Sequence, residues 1–171
     1  MIPEGLDDAS RGVEDAFIGL GSNLGDRASE LDRAFDEIAG LPATTLVARS
    51  SYYESAPVDA TGADYLNAVA QVRTSMTPLA LLHALQGIEE RYGRTRPFPR
   101  APRTLDLDLL LFGARTMATP ELELPHPRLA GRAFVLVPLA EIAPGLDVPG
   151  RGRVEALRAG VASQAIARLN R

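Results

Sequence analysis

In the run Leu105-Asp106-Leu107-Asp108-Leu109-Leu110-Leu111-Phe112, two carboxylates interrupt an otherwise apolar segment. Alternate side chains of a strand face opposite ways, so Asp106 and Asp108 would project together while Leu105, Leu107 and Leu109 point to the other side. Aspartate is depleted in strands, and two carboxylates on one face repel, so a positive charge is expected between them. Carboxylate oxygens are hard ligands suited to Mg²⁺, which takes one or two of them and completes its shell with water and substrate phosphate. A solvated outer face would carry the same two residues. The neighbourhood tips the reading to metal: Arg91, Arg94, Arg96, Arg100 and Arg103 fall within thirteen residues, just ahead of the pair. A guanidinium fork meets phosphate oxygens two at a time. Magnesium on the aspartates, with arginines neutralising a polyphosphate, is one use of this arrangement. Plain surface ion pairing, worth typically under about 1 kcal/mol, is the other.

Three further features could contact a ligand. Tyr65-Leu66-Asn67 puts a ring and an amide on one strand face, where the ring offers stacking and the amide both donates and accepts. Gly21-Ser22-Asn23-Leu24-Gly25 is a strand-to-helix turn that matches neither a Walker A loop nor a dinucleotide fingerprint. It serves equally well as a support for the sheet or as a phosphate contact. His126, framed by Pro125 and Pro127, lies in an extended loop within reach of a ligand, whereas His83 on a helix reads as structural.

The elements that must position these residues follow from periodicity and punctuation. Ala16 to Leu20 reads as a buried strand. Asp26 caps a helix whose apolar positions Leu31, Phe35 and Ile38 recur at helical spacing, ended by Gly40 and Pro42. Thr44 to Tyr53 reads as one strand and Tyr65 to Thr74 as another. Thr77-Pro78 opens a helix with Leu81, Leu82, Leu85, Ile88 and Tyr92 on its buried stripe, stopped by Gly93. Thr104 to Phe112 is the clearest strand. A short helix is expected near Pro138 to Ile142, and an amphipathic helix over about Val154 to Leu169, within a C-terminal helical segment 153–171. Residues 1–14 read as a loose lead-in. No repeat or linker divides the chain, so residues 1–171 are expected to form one domain. The order of elements predicts an α+β fold of ferredoxin-like type, an αβα sandwich with a mainly antiparallel sheet.

Composition narrows the chemistry. The 171 residues carry a net charge of −4, which disfavours general nucleic-acid binding, and no apolar run is long enough to span a membrane. Without cysteine, thiolate catalysis and cysteine-held zinc are excluded. All 18 basic residues are arginine, so a Walker lysine is excluded too, and phosphate must be met by arginine, backbone N–H and metal. A monomeric, cytoplasmic protein is expected.

Taken together, several stretches resemble the 6-hydroxymethyl-7,8-dihydropterin pyrophosphokinases. They are Phe17-Ile18-Gly19-Leu20-Gly21-Ser22-Asn23-Leu24-Gly25, Asp64-Tyr65-Leu66-Asn67-Ala68, Gln86-Gly87-Ile88-Glu89, Pro102-Arg103-Thr104-Leu105-Asp106-Leu107-Asp108-Leu109 and Leu124-Pro125-His126-Pro127-Arg128. They fall in order over roughly Ala16 to Val148, and the Pro-Arg-Thr-Leu-Asp-Leu-Asp run is the most specific. The resemblance implies ATP as co-substrate, the pterin alcohol as acceptor and two Mg²⁺ ions on Asp106 and Asp108. Arg94 and Arg103 match arginines that grip phosphate, with Arg96 beside them. Gln86, Glu89, His126 and Arg132 match the nucleotide side. Tyr65 and Phe134 match two rings that sandwich the pterin, Asn67 the residue reading its polar edge, and the backbone from Ser55 through Pro57 to Val58 the rest of that pocket.

Two departures from the family pattern stand out. Only Ala101 separates Arg100 from Pro102, where many relatives carry an aromatic or asparagine plus a small residue; an aromatic contact from this loop would be lost or pass to Phe98. Ser55-Ala56-Pro57 stands where Thr-Pro-Pro is frequent. Neither touches the metal or phosphate residues. A nucleotidyltransferase built on a palm-like sheet and a non-catalytic ligand-sensing domain are the rival readings; the acidic net charge opposes the first, and the paired aspartates beside five arginines oppose the second.

Overall fold

The computed structural model describes residues 12–23, 26–56, 64–93 and 105–170. Pro57, Val58, Arg94, Arg96, Arg103 and the Arg100–Pro102 loop lie outside them. Strand β1 (Glu14–Ser22) leads to helix α1 (Arg27–Ala39). The Asp26 side chain accepts from Ser29 N at 3.2 Å, the N-cap that its position before the apolar periodicity foretold. Next come β2 (Thr44–Arg49), β3 (Tyr53–Ser55), β4 (Tyr65–Thr74) and α2 (Pro78–Gly93). Thr77 Oγ1 caps α2 by accepting from Ala80 N at 3.1 Å. β5 (Asp106–Phe112) completes the main sheet.

Every pairing within that sheet is antiparallel. The strand order is β3-β4-β1-β5, with β2 also on β4. Each β–α–β unit thus leaves a slot that an antiparallel strand fills, which is the ferredoxin-like arrangement. β1 lies at the centre and β5 at one edge.

The two faces are covered differently. On one, Ile18, Leu20, Leu66, Ala68, Leu107 and Leu109 pack under Leu31, Phe35, Ile38, Leu81, Leu85 and Ile88 of α1 and α2. On the other, Phe17, Val69, Leu110 and Leu111 pack under helix α3 (Ala133–Ile142) and the segment that follows. A register shift between Phe17 and Ile18, opposite Leu109 to Leu111, lets the consecutive residues Leu110 and Leu111 both face α3. α3 covers only part of this second face. The remainder carries the aspartates.

Four expectations need correction. The strand expected over Thr44 to Tyr53 is two, because Ser50 breaks the ladder: its Oγ accepts Val69 N at 2.9 Å while its own N donates to Val69 O. The lead-in is shorter than 1–14, since Glu14 already pairs with Thr74 in β1. The helix near Pro138 begins at Ala133 and runs through the proline, whose missing N–H leaves the helix otherwise intact.

The long C-terminal helix is absent. β8 (Asp147–Val148) and β9 (Gly152–Arg153) form a small hairpin, and α4 spans only Val154–Ala159 before Gly160 caps it. The chain then unwinds because its polar groups find tertiary partners. Gln164 accepts from Ala133 N and donates to Gly131 O, both at 2.9 Å. β10 (Ala167–Arg168) joins the β3 edge. Two short strands, β6 (Met117–Ala118) and β7 (Glu123–Leu124), pair in the connection before α3.

Glu141 near the end of α3 ties that helix to the sheet. It accepts from Tyr53 Oη at 2.7 Å, from Ser51 N at 3.0 Å and from Ser51 Oγ at 2.9 Å. Burial alone would raise its pKa, but the hydrogen bonds from Tyr53 and Ser51 outweigh it and hold the carboxyl below its ordinary value. Burial, followed by the bond to Glu141, pushes the Tyr53 phenol up to about 12, so it remains a donor. A depressed carboxyl pKa contributes stability that is complete above the ordinary carboxylate range and lost as pH falls through it. Glu141→Gln should therefore lower stability at pH 7 by about 1 kcal/mol, a figure discounted for solvent screening at this exposed residue. It should also flatten the acid side of the stability profile. Urea titrations from pH 7 to pH 3 test this; an acid limb as steep as that of the unsubstituted protein would remove Glu141 as its source.

Candidate active site

Strand register assembles the site. Gly21 of β1 pairs with Asn67 of β4 on one side and Asp106 of β5 on the other; Gly19 likewise lies between Val69 and Asp108. Tyr53 pairs with Asn67, and Ser55 with Tyr65. Paired residues in an antiparallel sheet share a face, so Tyr53, Asn67, Gly21 and Asp106 form a row across four strands. Adjacent strands are about 4.8 Å apart, which sets the Asn67 and Asp106 backbones roughly 10 Å apart. Asp106 is half-buried and Asp108 exposed. Leu105, Leu107 and Leu109 are buried against the opposite helices, as their alternation requires.

The orientation of Asn67 is fixed by its partners. The residue is buried at 4% exposure, and its Nδ2 donates to Ser55 Oγ at 2.7 Å and to Tyr53 O at 3.3 Å. Both hydrogens are thereby committed, so Oδ1 is the atom turned across β1 toward the Asp106 side. A Cβ placed on Gly21 would stand 3.5 Å from Oδ1 and 3.8 Å from Tyr65 Cδ1. The aromatic ring, the amide acceptor and a bare stretch of β1 backbone therefore adjoin one another. Phe134, half-buried on the first turn of α3, carries the Arg132 guanidinium 5.2 Å from its ring centroid.

On the outer edge of β5, Glu89 of α2 accepts the Leu107 N–H at 2.8 Å. That amide sits between the two aspartates, so the carboxylate pins the part of the edge strand that presents them. Gln86 lies three residues earlier on the same helix and is exposed. His126 N donates to Leu110 O at 2.9 Å, which anchors its loop to β5, and its Nδ1 accepts from Arg128 N at 3.2 Å. A ring accepting at Nδ1 carries the neutral form's proton on Nε2. Burial lowers its pKa, the Asp108 charge opposes this, and Arg132 and Arg128 add to the lowering. His126, Asp108, Arg128 and Arg132 thus share one electrostatic neighbourhood.

Among the described residues no three acidic or histidine side chains cluster as a closed metal cage. Two carboxylates two residues apart on one strand face fit Mg²⁺, which keeps several positions for water and phosphate, better than a cation needing a full protein shell. Arg128 was not among the expected site residues. Its place in the Pro-His-Pro-Arg run was visible, but only the fold of that loop brings its charge to His126. Gly21 was singled out as part of a strand-to-helix turn, but its place between Asn67 and Asp106 follows only from strand register.

Comparison with known proteins identifies the family. The family described as 7,8-dihydro-6-hydroxymethylpterin-pyrophosphokinase (HPPK) matches residues 17–144. The chain belongs to the HPPK family. The relative from Pseudomonas aeruginosa, a 2-amino-4-hydroxy-6-hydroxymethyldihydropteridine pyrophosphokinase, is 42% identical over 158 residues, which are 92% of this chain and 98% of that protein. The protein of the same name from Methylorubrum extorquens is 43% identical, with 83% of this chain and 90% of that one covered. Among solved structures, a Plasmodium falciparum HPPK-DHPS superposes with a TM-score of 0.72 at 14% identity, covering 88% of this chain and 46% of that one. An HPPK-DHPS in complex with substrates gives 0.71 at 12% identity, covering 86% and 43%. The chain therefore spans under half the length of those structures, and at that identity the likeness speaks for the fold. The described candidate residues, from Ser55 to Phe134, all lie within the matched segment. No helix among the described residues is long and apolar enough to cross a membrane.

Proposed function

We propose that this chain transfers the pyrophosphoryl group of ATP to the hydroxymethyl oxygen of 6-hydroxymethyl-7,8-dihydropterin, releasing AMP and the pterin diphosphate, a step of tetrahydrofolate synthesis. The observation that carries this reading is the row joining Asn67, Gly21 and Asp106, in which a heterocycle-reading amide and a metal-suited carboxylate stand two strands apart in a family named for this reaction.

Asp106 and Asp108 are the residues that would hold two Mg²⁺ ions. When bound, the ions neutralise phosphate oxygens and polarise the reacting phosphorus. The pterin ring lies between Tyr65 and Phe134, and Asn67 Oδ1 accepts from its polar edge. Ser55 sets the amide by occupying Nδ2, and Pro57 and Val58 are assigned to the same pocket. Gln86, Glu89, Arg96, His126 and Arg132 receive the nucleotide; His126 offers Nε2–H as a neutral donor. Arg94 and Arg103 grip the phosphates and counter the charge that builds as the acceptor oxygen attacks the β-phosphorus in line. No residue forms a covalent intermediate, since phosphoryl transfer gains chiefly from positioning and charge neutralisation. The reading carries with it a monomeric, cytoplasmic enzyme, in keeping with an ATP-dependent reaction on small soluble substrates.

The direct test is a product assay by mass spectrometry with ATP, Mg²⁺ and the pterin alcohol. AMP and pterin diphosphate in equal amounts, abolished by EDTA, are expected. ADP with pterin monophosphate would move the attack to the γ-phosphorus, and absence of turnover from a folded sample would sink the reading.

A further inference from the structure

Helix α3 begins without a cap of its own. Arg132 occupies the N-cap position with extended backbone, φ −125° and ψ 113°, and its side chain makes no bond to the first turn. The first N–H groups of a helix have no partner within it, so they must be met from elsewhere. Here the partner comes from the C-terminal tail. Gln164 Oε1 accepts from Ala133 N and Gln164 Nε2 donates to Gly131 O, both at 2.9 Å. These two groups belong to the peptide planes on either side of the Arg132 Cα. Peptide units are rigid, so one side-chain amide that holds both planes fixes the φ and ψ of the residue between them. Gln164 is itself anchored. Its N donates at 3.0 Å to the carbonyl of Val161, a buried residue, and the chain beyond it pairs through β10 with β3. It lies beyond residues 17–144, the segment that the family model matches.

The clamped junction carries two of the residues expected to meet ligand. The Arg132 guanidinium stands 5.2 Å from the Phe134 ring centroid, and its charge reaches His126 beside Asp108. Serine, threonine, aspartate or asparagine at position 132 would cap α3 locally. An arginine there forgoes that bond, and the capping passes to a distant side chain. We infer that Gln164 is a positioning residue for both substrates: by clamping the peptides that flank Arg132 it aims Arg132 at the nucleotide and Phe134 at the pterin. This rests on the functional reading above. Groups that bind by orientation lose much of their effect when displaced by about 1 Å, so a freed Arg132 backbone weakens ligand contacts that Gln164 never makes itself.

The test compares Gln164→Leu, Gln164→Glu, Arg132→Ala and the double variant Gln164→Leu/Arg132→Ala in the full chain. Steady-state kinetics, melting temperature and affinity for a non-hydrolysable ATP analogue with Mg²⁺ are measured for each. Gln164→Leu keeps a similar volume and removes both hydrogen bonds. It should melt about 2–4 °C lower, as loss of one cap in a chain of this length implies. KM for ATP and for the pterin alcohol should each rise about fivefold or more, with kcat within about threefold. Gln164→Glu keeps an acceptor for Ala133 N, which a helix N-terminus favours, but cannot donate to Gly131 O. It should melt close to the unsubstituted protein and still raise both KM values. In the Arg132→Ala background, Gln164→Leu should weaken the ATP analogue by less than about twofold, because its effect on the nucleotide passes through Arg132.

Unchanged KM values in a folded Gln164→Leu overturn the inference. So does a fall in kcat that tracks the melting temperature at constant KM, the signature of a merely structural cap, and so does full additivity in the double variant. If Gln164→Leu does not fold, Gln164→Glu decides, and unchanged KM values there overturn it equally. If the unsubstituted protein does not turn over the pterin with ATP, the functional reading fails and takes this inference with it. If it does and the Gln164 variants keep its KM values, only the inference fails.

Discussion

Asp106→Ala and Asp108→Ala should each reduce pyrophosphoryl transfer by about a thousandfold or more, because each removes a proposed metal ligand on which several kcal/mol of charge stabilisation would depend. The fold should survive both. Asp106 is half-buried, Asp108 is exposed, and the strand is held by Leu105, Leu107 and Leu109 packed on its other side. Removing the exposed Asp108 relieves repulsion between two like charges on a strand face, so the melting temperature of Asp108→Ala should stay level or rise slightly. Asp108→Asn is the stricter variant, since it keeps the shape and loses only the charge. Single-turnover rates with saturating Mg²⁺, beside thermal melts, separate the two effects. Near-normal transfer in either alanine variant would remove the metal assignment and leave the pair as a solvated strand face.

Where local chemistry decides an element, the sequence was sufficient. Asp26 and Thr77 cap their helices as their positions ahead of apolar periodicity implied. The alternation around Asp106 and Asp108 placed both carboxylates on one face because a strand has only two faces to choose from. The order of elements was enough for the sheet class, since a strand-helix-strand unit repeated twice has few compact solutions.

What escaped notice depends on contacts between residues far apart in the chain. Nothing near Ser50 announces that its hydroxyl will take the Val69 amide and split a strand in two. The apolar spacing of Val154, Leu157 and Val161 continues a helix on paper, yet the tail after Gly160 gains Gln164's two backbone partners and the β3 edge instead. No sequence feature marks Glu141, and only the packing of α3 beside β3 turns it into an acceptor for Ser51 and Tyr53. The site shows the same division. Its residue types were legible, whereas the row through Gly21 and the pinning of β5 by Glu89 exist only once the register is fixed.

Arg103→Ala should slow the chemical step by about a hundred- to a thousandfold while changing pterin affinity only a few-fold. Arg103 stands three residues before Asp106. Three residues of chain span at most about 11 Å, so the covalent chain keeps its guanidinium within reach of the carboxylates. Charge on the transferring group grows toward the transition state, so a cation there acts on the rate more than on ground-state binding. Arg103→Lys should recover only part of the loss, since an ammonium supplies the charge without the paired donors of the fork. Rapid-quench single turnovers give the chemical rate, and equilibrium titration gives the pterin affinity. A loss confined to pterin binding would contradict a transition-state role, whereas full recovery by lysine would leave the charge at work and remove the fork geometry from the account. Lysine recovery is the sharper test in this chain, because every basic residue it has is arginine. An all-arginine composition is compatible with mere genomic bias, in which case lysine should serve as well at position 103. A partial rescue instead makes the fork geometry itself part of the catalysis.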